Sequence, residues 1–349
     1  MRANESRMGI TEQRTIPSVP AGQFHQEALP PVSIEQWRHK HVLDLDDFSR
    51  EEINLIFEIT DSMVEVLARD VKKVPTLRGK TIATMFFEPS TRTRASFELA
   101  AKYLGADTVS LDAAKSSITK GESLVDSLRT LQALEVNAII MRHSCSGAPY
   151  IAAQNLEISI INAGDGSHAH PSQGLLDLYT MRKHLKSLNG KKVVLVGDIK
   201  HSRVARSNIW GSRGLGLNMT LCAPPTLIPH GLKLMLAECG LDHVTIEHNL
   251  DRALENADIV MPLRLQKERQ QSGLISTVRE YIQQYQVNNK RLKKANPGVL
   301  VMHPGPMNEG VEISHEVAYS NNSLIEQQVT NGVAIRMALL YLIAGGKNR

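Results

Sequence analysis

From Trp37 onward, apolar residues follow two alternating periods, one helical and one of short continuous runs. Ser49-Arg50-Glu51-Glu52 forms a capping-box start, and Ile53, Ile56, Phe57, Met63, Val64 and Leu67 follow it at helical spacing. Residues 81–87 then read as a buried strand, and 92–104 as a helix stopped by Gly105. Short strands are expected near 107–111, 136–141 and 158–162, with helices between them. Another helix opens at His170 or Pro171 and runs to about Leu188, where Asn189-Gly190 breaks the chain. A second series begins with 193–196 and continues with strands near 217–222, 243–246, 258–263 and 299–302, again alternating with helices. Wholly apolar strands alternating with helices belong to parallel sheets covered on both faces. The pattern predicts an α/β chain of two doubly wound parallel-sheet units meeting near 165–172, with a long amphipathic helix over about 326–344.

Residues 1–36 differ. They lack apolar periodicity and hold four of the fifteen prolines, Pro30-Pro31 among them, so a mobile tail is expected. Arg2, Arg7 and Arg14 invite a transit-peptide reading, which Glu5, Glu12 and Glu27 weaken; Met8 is an alternative start. There is no apolar core for a secretory signal.

Composition narrows the class. At 42% hydrophobic and 22% charged residues, the chain fits an ordinary globular protein and not a disordered one. The longest nearly apolar stretch, 334–344, is broken by Arg336 and is far shorter than the roughly 20 residues a membrane span needs. Three scattered cysteines, Cys145, Cys222 and Cys239, make neither a disulfide framework nor a Cys-x-x-Cys zinc site, which fits a reducing cytoplasm. A net charge of +4 with only 4% aromatics gives no platform for nucleic acid, but suits a small anion held in a cleft.

The chemistry concentrates where strands end. Phe86-Phe87-Glu88-Pro89-Ser90-Thr91-Arg92-Thr93-Arg94 passes from an apolar strand through three hydroxyl residues and an arginine into a helix. Helix N-termini expose unpaired N–H groups, and hydroxyls with a bidentate guanidinium there make a phosphate cradle. One serine alone would be a plain N-cap; two further hydroxyls and Arg92 in the same turn are more than a cap needs. No Walker A sequence occurs, and Gly214-Leu215-Gly216 lacks the last glycine of a dinucleotide fingerprint, so a small phosphate compound is expected, not a nucleotide. A second segment, 162–173, carries His170, which can donate to a carbonyl oxygen, and Gln173 one turn later on the same face. His168 and His170 can also be read as two metal ligands, without a third at sensible spacing. Arg264 and Gln266, after the strand near 258–263, can reach a carboxylate, although Arg264-Leu265-Gln266-Lys267-Glu268-Arg269 on its own reads as a solvated charge run. His303-Pro304-Gly305-Pro306 is a rigid strand-ending turn with carbonyls free to accept hydrogen bonds. The segment from Gly197 to Arg203 also ends a strand, and Ser116-Ser117-Ile118-Thr119-Lys120-Gly121-Glu122 is a polar loop with one lysine.

Together these segments closely resemble the catalytic chains of the aspartate carbamoyltransferases, from about Arg38 to Leu342. Ser-Thr-Arg-Thr-Arg at 90–94 marks carbamoyltransferases in general; the Ser116/Lys120 loop, the 264–269 segment and His303-Pro304-Gly305-Pro306 favour the aspartate enzymes. Ornithine-type enzymes are expected to carry a cysteine-containing His-Cys-Leu-Pro at 303–306, and that cysteine is absent.

The resemblance implies carbamoyl transfer from carbamoyl phosphate to the amino group of L-aspartate, an early step of pyrimidine synthesis, with no cofactor or metal. It implies that Ser90, Thr91, Arg92, Thr93 and Arg142 hold the phosphate, and that Thr93, Arg142 and His170 face the carbonyl oxygen. Gln173 and the Pro304-Gly305 turn would hold the carbamoyl nitrogen, and Arg203, Arg264, Gln266 and Lys120 the aspartate. Ser116 and Lys120 would enter a neighbouring subunit's site, implying a homotrimer, with regulatory or dihydroorotase chains as further partners. Glu88 would sit between Arg203 and Arg269 when the domains close. The organisation expected is a tail over 1–36, a carbamoyl-phosphate domain over 37–170 and an aspartate domain over 171–325. A C-terminal helix over 326–349 would then pack back on the first domain. Glu309 stands where the family commonly carries a basic residue.

Overall fold

The computed structural model describes residues 37–111, 123–266, 274–275 and 277–345; the tail expected over 1–36 lies outside them. The capping box forms as its sequence requires. Ser49 Oγ accepts the Glu52 N–H at 3.1 Å, and the Glu52 carboxylate accepts the Ser49 N–H at 2.9 Å. This starts α1 (Arg50–Ala68), whose Ile53, Ile56, Phe57 and Met63 are fully buried. Each such side chain contributes about 1.5–3 kcal/mol by leaving water. The first unit continues as β1 (Thr81–Phe86), α2 (Thr91–Tyr103), β2 (Asp107–Leu111), α3 (Leu124–Ala133), β3 (Ala138–His143), α4 (Ala148–Asn155), β4 (Ser159–Asp165) and α5 (Pro171–Leu185). The second runs β5 (Lys192–Val196), α6 (Arg203–Gly211), β6 (Asn218–Cys222), α7 (Leu232–Glu238), β7 (Val244–Glu247), α8 (Leu250–Leu254), β8 (Ile259–Pro262), α9 (Val278–Tyr285) and β9 (Leu300–Val301). Then α10 (Ile325–Ala344) packs against α1, α2 and α5.

Among the described residues the strands form two parallel sheets, in the orders β2-β1-β3-β4 and β7-β6-β5-β8-β9. The expected fold class holds. In both, strand order reverses beside the first-formed strand, between β1 and β3 and between β5 and β8. Ligands of open α/β sheets bind outside the carboxyl ends of strands at such reversals.

Two strands run further than apolarity alone predicts. β3 continues to His143 and β4 to Asp165, with Phe86 paired to Arg142 and His143 to Asp165 in register. Arg142 and Asp165 are buried charged residues, so a criterion built on hydrophobic runs stops short of them. Their backbone still completes the ladder; the Arg142 side chain enters the cleft, while Asn162 and Asp165 bond to each other at 2.8 Å. At the other end, α5 stops at Leu185 instead of about Leu188.

Candidate active site

The carboxyl end of β3 and the segments after β1, β4, β5, β8 and β9 converge on one cleft of about 770 Å³. Among the described residues five arginines line it, Arg92, Arg142, Arg203, Arg264 and Arg336, against the single carboxylate of Glu88. Such a wall selects anions. Burial and the neighbouring Arg264 guanidinium push Arg92 below its ordinary value; an anion bound between the two would relieve that repulsion.

The cradle is built by the start of α2. Ser90 is its N-cap residue, yet its side chain makes no cap hydrogen bond. Its hydroxyl therefore remains for a ligand at a helix N-terminus, where N–H groups and the dipole favour an anion. Ser90, Thr91, Arg92 and Thr93 all line the cleft. Gly305 (φ +63°) makes room for this arginine: a β-carbon there would lie 3.3 Å from the Arg92 guanidinium. Glycine at 305 thus suits both the left-handed turn and the close approach of the arginine.

Arg142 and Arg203 share Glu88. Arg142 Nη2 donates to Glu88 Oε1 at 2.8 Å, and Arg203 donates to both carboxylate oxygens at 3.1 Å. Arg142 also donates to the Ala163 carbonyl at 3.3 Å, and Arg203 to the Gly166 carbonyl at 3.2 Å. Gly164 (φ +116°) clears the way, because a β-carbon there would fall 2.9 Å from the Arg203 guanidinium carbon. Of the residues expected around Glu88, Arg203 and, additionally, Arg142 touch it. Arg269, Ser116 and Lys120 lie outside the described residues.

His170 precedes α5 and is 4% exposed; its backbone N–H donates to Ser207 Oγ at 2.8 Å. Burial, then the charges of Arg203, Arg142 and Arg336, hold its pKa well below the ordinary 6.5. The imidazole is therefore neutral at pH 7, with one ring N–H and no charge. Its Nδ1 has no hydrogen-bond partner among the described residues. His168, weighed above as its partner in a metal pair, turns elsewhere: it bridges Asp165 at 3.1 Å and Asp44 at 3.6 Å.

Gln173 lines the cleft with Nε2 donating to Asp177 at 2.9 Å, which leaves its Oε1 as an acceptor. Arg264 and Gln266 line the opposite side, where Gln266 Nε2 donates to the His201 carbonyl at 3.0 Å. That bond ties the turn after β8 to the turn after β5. Glu309 is absent from the lining; its carboxylate meets His315 and Tyr319.

Sequence reasoning missed the contribution of α10. Gln328 and Arg336 reach the cleft from that helix. Arg336 is fully buried, donates to Ser96 Oγ at 2.9 Å, and stacks over Phe97 at 5.0 Å. Burial pushes its pKa down to about 10, so it stays charged at neutral pH. A signal was present: Gln328, Asn331 and Arg336 are polar residues on the face of an otherwise apolar helix.

The sequence model described as the aspartate/ornithine carbamoyltransferase carbamoyl-P binding domain matches residues 40–183, and that of the Asp/Orn binding domain matches 189–343. The aspartate carbamoyltransferase catalytic subunit of Dehalococcoides mccartyi is 56% identical over 314 residues, 90% of this chain and 94% of that one. The corresponding subunit from a Roseiflexus species is 58% identical over 308 residues, 88% of this chain and 96% of that one. Among solved structures, aspartate transcarbamoylase from Trypanosoma cruzi in complex with carbamoyl phosphate and aspartate aligns with a TM-score of 0.80 at 29% identity, covering 90% and 99% of the two chains. Ornithine carbamoyltransferase from Pyrococcus furiosus gives a TM-score of 0.80 at 28% identity, covering 88% and 98%. With residues 40–183 and 189–343 matched by its two domain models, the chain belongs to the aspartate/ornithine carbamoyltransferase family.

Proposed function

We propose that this protein transfers the carbamoyl group of carbamoyl phosphate to the amino group of L-aspartate, giving N-carbamoyl-L-aspartate and phosphate. The observation that carries the reading is the cleft's charge: among the described residues, five arginines against one carboxylate, four of them near the strand ends of both sheets and Arg336 on α10. Two dianionic substrates suit that wall. Ornithine, with a cationic side chain, would want acidic residues, and Glu88 already serves two arginines. Backbone likeness does not separate the two activities, since both kinds of structure align equally well. Identity above one half to aspartate carbamoyltransferase subunits favours aspartate.

In this mechanism Ser90, Thr91, Arg92 and Thr93 hold the phosphate at the start of α2. Attack by the aspartate amine builds negative charge on the carbamoyl carbonyl oxygen. Thr93, Arg142 and neutral His170 donate to that oxygen, and fixed donors stabilise the developing charge more than the ground state. Gln173 Oε1 and the Pro304 carbonyl accept from the carbamoyl NH2. Arg203, Arg264 and Gln266, with Lys120, hold the aspartate carboxylates. The carbon–oxygen bond to phosphate breaks as the carbon–nitrogen bond forms, and the departing phosphate takes the amine proton. No covalent enzyme intermediate is needed, so alignment supplies much of the rate. Ser116 and Lys120 acting from an adjacent subunit make a homotrimer the working form, and synthesis of pyrimidines in the cytoplasm its setting. No helix among the described residues is long and apolar enough to cross a membrane.

The test offers purified protein carbamoyl phosphate with L-aspartate or L-ornithine in parallel. Carbamoyl aspartate alone supports the reading; citrulline alone overturns the substrate assignment and keeps the fold and phosphate cradle. Sedimentation of the active species tests the trimer.

A further inference from the structure

Beneath the cleft floor lies a buried carboxylate with no part in the mechanism above. Asp177 sits on α5, one turn beyond Gln173, and has no exposed surface. It accepts from three primary amides on three helices: Gln173 Nε2 at 2.9 Å, Gln328 Nε2 at 2.7 Å and Asn208 Nδ2 at 3.0 Å. Arg336 is the nearby cation. Gln328 in turn accepts the His303 backbone N–H at 2.8 Å, at the entry to the Pro304-Gly305-Pro306 turn.

The chemistry of the hub is one-directional. An ionised carboxylate only accepts, so each amide that faces it must present its NH2 end. A primary amide has two ends, and the other one then points away as a carbonyl oxygen. For Gln173 that oxygen is left on the cleft side; for Gln328 it grips the backbone ahead of Pro304. Both elements that meet the carbamoyl nitrogen therefore trace to one buried group.

We infer that Asp177 is a positioning residue that sets the polarity of the carbamoyl subsite. By fixing Gln173 carbonyl-outward, and the Pro304 turn through Gln328, it makes the subsite select an NH2 group over a methyl group on the acyl carbon. The inference rests on the proposed activity. It gives Asp177 a role in telling carbamoyl phosphate from acetyl phosphate, which has the same shape but no N–H.

The test compares kcat/KM for carbamoyl phosphate and acetyl phosphate, with aspartate as acceptor, in wild type, Asp177→Asn and Gln328→Ala. An asparagine at 177 brings its own NH2 to face the three others, and one amide must turn over. Selectivity for carbamoyl phosphate should fall about 5- to 150-fold, the range expected when a buried hydrogen-bonding group is mismatched. Inhibition by inorganic phosphate should be unchanged, because the α2 cradle is untouched. In Gln328→Ala the Asp177–Gln173 bond survives but the Pro304 turn loses its tether, so selectivity should fall by less. If Asp177→Asn fails to fold, Gln328→Ala alone decides. An unchanged selectivity ratio, with both substrates slowed alike, overturns the inference and leaves Asp177 a packing element. A wild type that makes no carbamoyl aspartate instead refutes the proposed function, and the inference falls with it.

Discussion

Glu88→Gln tests how charge is divided inside the cleft. The carboxylate receives three donors from two arginines, at 2.8, 3.1 and 3.1 Å, with the side chains of Arg142 and Arg203 only 10% and 9% exposed. A glutamine has one acceptor oxygen and turns an NH2 toward the second guanidinium. At least one charge-assisted bond is lost, worth about 1.5–3 kcal/mol at such sites. At about 1.4 kcal/mol per decade this is roughly 10- to 150-fold. The two arginines should answer differently. Arg203 follows β5 in the second unit and loses its clamp to the first, so the aspartate concentration for half-maximal rate should rise by that factor. Arg142 loses a competitor for its guanidinium, so carbamoyl phosphate should bind as well as before or better. Initial rates over a grid of both substrates, with the thermal midpoint of each protein, separate these effects. A wild-type aspartate response would refute the reasoning. So would equal weakening of both substrates in step with a lower midpoint, because that is what a loosened fold does.

His170→Ala should keep carbamoyl phosphate binding, measured by calorimetry, and lose about 10²–10³ in turnover, the usual cost of one donor to a developing oxyanion. Gly164→Ala should cost about 1–3 kcal/mol in backbone strain alone, and should displace Arg203, so both the denaturation midpoint and aspartate affinity should drop. The Asp44–His168–Asp165 cluster predicts the pH dependence of stability. Burial pushes Asp44 from 3.8 up to about 7, and hydrogen bonding to Asp165 raises His168 above 6.5. Both groups hold protons in the folded state that the unfolded chain releases. Asp44's contribution is complete below its unfolded value and lost as pH rises through about 7; that of His168 is lost as pH climbs above 6.5. His41, His143, His170 and His243 are held below 6.5 and work the other way on the acid side, so the cluster is read from a difference: as pH rises through neutrality, wild type should lose more thermal midpoint than Asp44→Asn does. Equal changes in the two proteins contradict the assignment.

Much of the architecture was legible because burial leaves a plain mark. The strand Thr81–Phe86 carries no charge, residues 193–196 are a continuous apolar run, and Ser49 announces α1 three residues ahead of its partner Glu52. Legibility failed where chemistry replaces apolarity. Arg142 and Asp165 complete strands while carrying charge, so hydropathy ended those strands early. Ser90 to Thr93, His170 and Gln173 were found because they cluster at strand-to-helix turns. Gln328, Arg336 and Asp177 lie within helices instead. Their importance depends on which helices meet, a long-range fact that local spacing does not hold. The partnership of Glu88 with Arg142, 54 residues away, is of the same kind.

The return of α10 to the first sheet has a consequence for how the chain comes off the ribosome. The strands β1 to β4 are made early, but the helix that covers α1 and α2 is made only after the entire second sheet. The bond from Arg336 to Ser96 closes a loop of 240 residues. Contacts so far apart slow folding, since the chain must surrender its freedom before they form. During synthesis the first unit waits with an apolar flank uncovered, the condition in which nascent chains aggregate or recruit chaperones. The same late stitch finishes the cleft: its Gln328 and Arg336 wall is in place only when the last helix arrives, so a half-made enzyme has no half-made activity.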